Sequence, residues 1–216
     1  MNSKYFEVRF DPSDEPFAQT LMARADVVYA ELMEKFGFTR SGAGQKILLT
    51  VCKSVPEYLE ATHKAAEEYQ EWMVGSSNLQ NQTIAILSPR ISTTHTAKEL
   101  EKVFVHETVH MILDTQAGHE DAPIWCAEGI AVLYAEQVEL DYIDEIDYPK
   151  IKELLNEETF AERGGYNYSG VYIWYFIERY GFSKFWELYN NVPGTFEMVY
   201  DCFEEDAIRS IKKIIV

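Results

Sequence analysis

One pentapeptide places three chemistry-bearing side chains within a single helical turn: His106-Glu107-Thr108-Val109-His110. On an α-helix, residues four apart lie one turn apart on the same face, so both imidazoles can reach one metal ion. Glu107 sits about 100° round from His106, close enough to touch a water on such an ion without being a ligand. H-E-x-x-H on a helix is a spacing suited to holding one zinc ion. The bland alternative is two core histidines beside a solvated glutamate.

A zinc site that does chemistry needs three protein ligands and one open position. The metzincin pattern would put Gly and His three and six residues after His110. Leu113 and Gln116 stand there instead, and His119 is out of register in a loop. The better candidate is Glu128, within Trp125-Cys126-Ala127-Glu128-Gly129-Ile130-Ala131. A loop after Asp114 lets the next helix fold back and bring Glu128 opposite the imidazoles. Its apolar neighbours argue against an ordinary surface glutamate, because an unpaired carboxylate among them is costly.

The elements that must position these residues are legible in the hydrophobic pattern. Phe6, Val8 and Phe10 alternate with polar neighbours as in a half-buried strand. From Pro16 to about Phe36, Phe17, Leu21, Ala25, Val28 and Leu32 recur at helical spacing, entered through Asp14 and Pro16. Residues 46–52 are apolar on both faces and read as a central strand. Ser54-x-x-Glu57 opens a second helix, expected to reach about Met73, and residues 78–82 turn into a third strand, TIAILS, at 83–88. Thr96-x-x-Glu99 starts the helix that carries HETVH. Beyond it the chain reads as helical: one helix from Pro123, an acidic irregular stretch over 139–165 around a short helix near Tyr148–Asn156, an aromatic-rich helix pair over 165–189 and a last helix from about Thr195. The fold class is therefore α+β, with a small N-terminal mixed sheet, a mainly helical C-terminal half and the HETVH helix between them. We read one domain over 1–216, sheet-containing over 1–95 and helical over 96–216.

HETVH, then seventeen residues, then a glutamate within W-x-x-E-G-x-A resembles the gluzincin metallopeptidases, which include thermolysin and the zinc aminopeptidases. The resemblance is greatest to compact bacterial domains called peptidase MA-like, and extends to TIAILS and to the pattern running from Tyr166 to Gly181. It implies a zincin-like fold and a zinc peptidase with Zn2+ held by His106, His110 and Glu128, and with Glu107 as base. It also implies that TIAILS is an exposed edge that pairs with extended peptide or protein substrate. Tyr166 matches the family tyrosine that supports the oxyanion, with Tyr168 as the neighbouring candidate. The chain departs from the family at two points. Val132 occupies the position of an aspartate that orients the first histidine, leaving Glu136 or Asp114 for that role. The Gly-x-Met-Glu-Asn segment of aminopeptidases is absent, which favours an endopeptidase.

Composition bounds the partners. Among 216 residues, 36 Asp and Glu stand against 19 Lys and Arg, a net charge of −17. Such a surface repels nucleic acid and anionic membranes. Hydrophobic residues at 47% can fill a real core. Cys52, Cys126 and Cys202 are odd in number and without Cys-x-x-Cys spacing, and no apolar leader precedes the first strand, so the expected location is cytoplasmic. The acidic run Glu139, Asp141, Asp144, Glu145, Asp147 has no Ca²⁺-loop spacing and reads as a solvated face. The competing function is a non-catalytic zinc-binding module. An intact Glu107 favours the enzyme, since a structural site has no need of a base.

Overall fold

Three stretches rich in β-branched and apolar residues build a parallel core: β1 (Phe6–Phe10), β2 (Ile47–Cys52) and β4 (Thr83–Leu87). A fourth strand, β3 (Gly75–Asn78), joins β4 antiparallel, giving a small mixed sheet of order β1-β2-β4-β3. The computed structural model describes residues 1–39, 45–117, 122–140, 143, 148–190 and 204–215. Two compact units divide the chain, Met1–Gly118 and His119–Val216, so the HETVH helix belongs with the sheet. The architecture is mixed, a small sheet followed by a mostly helical remainder.

In the first unit, α1 (Glu15–Lys35) and α3 (Ala97–Ala117) pack together; α1 also lies on β1, and α3 on β3 and β4. Phe6, Leu49, Ile84, Ile86 and Phe104 are fully or almost fully buried there. Asp14 stands at the N-cap of α1 but does not cap it with its side chain. Its buried carboxylate instead accepts from Ser88 Oγ and, bidentately, from Arg90 Nε and Nη2, both at 2.8 Å. The Thr96–Glu99 box forms as expected: Glu99 N–H donates to Thr96 Oγ1 at 3.3 Å, and Thr96 N–H to Glu99 Oε2 at 2.6 Å.

Two expectations between β2 and β4 need correction. The second helix, α2 (Val55–Thr62), opens at Ser54 as expected but ends eleven residues before Met73, where His63 turns left-handed at φ 57°. The chain thereby gains the length to lay down β3, which sequence reading missed because Gly-Ser-Ser-Asn carries no apolar alternation. As a result β4 is not the edge. It lies between β2 and β3 with all five residues buried, and β3 is the edge strand instead. At the opposite margin, β1 is covered by the chain's first residues, with Ser3 N–H donating to Phe6 O and Val8 N–H to Met1 O.

In the second unit, α4 (Ile124–Tyr134) packs on α6 (Gly165–Tyr189), preceded by the short α5 (Glu157–Phe160). The expected helix pair exists as two segments of α6 meeting at Gly181, whose φ of 80° and ψ of 167° break the helical path. Of the last helix, the described part is α7 (Glu204–Ile215). Among the described residues, no helix is long and apolar enough to cross a membrane.

Candidate metal centre

The apolar stripe of α3 fixes which way its polar residues face. Phe104, Val109, Met111, Ile112 and Leu113 are buried at 2% exposure or less, which anchors the helix and holds the H-E-x-x-H turn in register. His106 and His110 are half-buried, and their Nε2 atoms stand 3.0 Å apart. Their rings meet edge to face, centroids 4.8 Å apart. Two nitrogens bound to one tetrahedral zinc at about 2.0–2.1 Å lie about 3.3 Å from each other. The pair matches that spacing within a few tenths of an ångström, so the donors fit zinc. Without an ion, one ring must donate an N–H to the other's lone pair.

Glu107 is buried, at 8% exposure, and its surroundings include residues that the motif did not reveal. Its carboxylate packs against β3 at Gly75: a Cβ added there would lie 3.0 Å from Glu107 Oε1 and 2.3 Å from Val103 Cγ1. Position 75 must therefore be glycine if α3 is to approach β3 this closely. From α2, the fully buried Tyr58 donates its hydroxyl to the Gly75 carbonyl at 2.7 Å. Burial chiefly, and then the Glu107 charge, hold the Tyr58 phenol protonated well above its ordinary range. The only sequence signal for either residue was indirect: an aromatic in a capped helix, and a glycine lying between an expected helix and an expected turn.

Most of the remaining candidates belong to the second unit. Glu128 sits half-buried on α4, whose Trp125, Cys126, Ile130 and Ala131 are fully buried. Its neighbour Gly129 meets α6 directly; a Cβ there would lie 2.6 Å from the Ser169 carbonyl. Val132 is core, at 3% exposure, and lies against Gly170, so it belongs to helix packing. Glu136 follows α4 at φ 54°, while Asp114 stays half-buried on α3. Tyr166 is half-buried in the first turn of α6, its ring edge-on to Phe160 at 5.1 Å. Tyr168 is 5% exposed and packed on Tyr148 at 4.7 Å. Of the two tyrosines, Tyr166 is the one with a solvent-reachable side chain. His119, Asp121 and Cys202 lie outside the described residues, as do Asp141, Asp144, Glu145 and Asp147. Compared with models of known protein families the chain matches none, and no curated protein is significantly similar to it.

Proposed function

We propose that the protein is a zincin-like, zinc-dependent endopeptidase of peptides or proteins, with His106, His110 and Glu128 as ligands. The observation that carries this reading is the convergence of His106 Nε2 and His110 Nε2 at 3.0 Å, with the buried Glu107 carboxylate between them in sequence. Zinc held there would supply Lewis-acid polarisation of a scissile carbonyl and acidify a water. Glu107 would accept a proton from an attacking water and return it to the leaving amine. Its low exposure keeps bulk water from competing for the proton. Tyr166 donates its hydroxyl to the developing oxyanion. The edge of β3 is where an extended substrate adds as a further strand. A reducing, cytoplasmic setting suits Cys52 and Cys126, both buried free thiols.

Metal analysis of the purified protein, followed by cleavage of fluorescently labelled casein with and without chelator, tests the reading. We expect one zinc per chain and hydrolysis that stops on chelation. Glu107→Gln, which keeps shape but cannot accept a proton at neutral pH, should retain zinc and lose turnover. Wild-type turnover in that variant would remove Glu107 as base. Full zinc binding with no hydrolysis in the wild type would favour the non-catalytic module.

A further inference from the structure

The strand facing Glu107 is the least self-sufficient in the sheet. Gly-Ser-Ser-Asn has low strand propensity, contributes no apolar side chain, and includes the residue type that loses most backbone entropy on ordering. Among the described residues it has one strand neighbour, β4. Its hydrogen-bonding phase follows from the Leu87 N–H bond to Val74 O at 2.8 Å, which makes 74 and 87 a bonded antiparallel pair. Bonded pairs recur every second residue, so Ser76 and Asn78 turn their amides toward β4, while Gly75 and Ser77 turn theirs outward. The outward carbonyl of Gly75 is the one that Tyr58 takes.

We propose that Tyr58 is a positioning residue for Glu107, acting through Gly75. Its hydroxyl supplies, from α2, the anchor that β3 lacks from its own sequence. The anchored point is the one that walls the Glu107 carboxylate. Tyr58 thereby also closes the Gly75 carbonyl to an incoming chain and leaves the Ser77 N–H and C=O as the outward pair, which sets where a substrate strand can pair. The catalytic consequence rests on the peptidase reading above; the anchoring does not.

Tyr58→Phe in the full-length protein removes only the hydroxyl. Amide hydrogen exchange should then rise about tenfold or more at Ser76 and Asn78, the β3 amides turned toward β4, while β2 and α3 stay protected. The melting-temperature losses of Tyr58→Phe and Glu107→Gln should fail to add by about 2 °C or more in the double variant. Zinc content should not change. With labelled casein, kcat should fall about tenfold with KM within a small factor. Uniform exchange across the unit, or additive melting shifts, overturns the proposal. If wild type cleaves no casein, the peptidase reading fails while exchange and melting still decide the anchor. Should Tyr58→Phe not fold, Gly75→Ala combined with Val103→Ala relieves the Val103 clash and leaves the new methyl against Glu107; zinc retention with lost turnover supports the wall, and unchanged turnover refutes it.

Discussion

Two polar clusters in the sheet-containing unit are built to opposite ends. At Asp14, an anion that is almost fully buried meets a guanidinium bidentately and a serine hydroxyl, so every strong donor faces an acceptor. At His106 and His110, two groups of the same kind face each other at 3.0 Å with a buried carboxylate next in sequence. The first arrangement has spent its capacity on holding the start of α1 to the residues after β4. The second brings two ring nitrogens close together, the spacing that the proposed cation would need. A polar cluster points to chemistry when its members are alike and convergent, and to structure when they are complementary and saturated.

The contrast breaks most sharply at the histidines. His110→Ala leaves a single imidazole on α3, and zinc affinity should drop by more than the roughly 10–100-fold typical of losing an outer-shell partner. Zinc titration against a competing chelator measures this, and unaltered affinity would sink the assignment.

At the saturated cluster the expectation reverses: no effect on zinc, a large one on stability. Arg90→Met strands the Asp14 carboxylate in the interior and should cost about 3 kcal/mol, the low end for breaking a buried pair because Arg90 is 45% exposed. Asp14→Ala lets that arginine swing into water and should cost less, about 2 kcal/mol. Denaturant unfolding at neutral pH reads both, and equal costs would contradict the asymmetry.

Acid sharpens the same point. Burial opposes ionisation of Asp14 most strongly, yet the hydrogen bonds from Arg90 and Ser88 outweigh it and hold the carboxyl below its ordinary value of 3.8. A folded pKa below the unfolded one means the stabilisation is complete above about pH 4 and is lost as pH falls through the folded value. The stability gap between wild type and Arg90→Met should therefore narrow below about pH 4. A gap that widens on acidification would reverse the sign of the argument.

The smallest effect is expected at the start of α3. Thr96→Ala removes one half of the capping box and should cost about 1 kcal/mol, with zinc affinity unchanged ten residues further on. A matching loss of affinity would mean that the motif depends on the helix start, which the buried anchor residues argue against.

What sequence revealed and what it hid divides along the same line. HETVH was legible because side-chain identity and local helical spacing carry its geometry, and the Ser54 and Thr96 boxes because capping is a short-range event. The Asp14–Arg90 pair was invisible: its partners are 76 residues apart and only the sheet brings them together. β3 was hidden because its strand state comes from β4 and Tyr58, and not from its own Gly-Ser-Ser-Asn. The role of Gly75 was hidden for a related reason, since a glycine needed for close approach looks the same in sequence as one needed for a turn.

Gly129 carries a consequence on the timescale of evolution. With the Ser169 carbonyl 2.6 Å from where a side chain would begin, every single-nucleotide change that alters this residue adds at least a methyl where there is no room. Drift at 129 is closed unless α6 moves first. Glu128 is thus chained to a neighbour that cannot vary, and lineages that abandon the carboxylate should still keep the glycine. Among relatives, position 129 should be more constant than position 128.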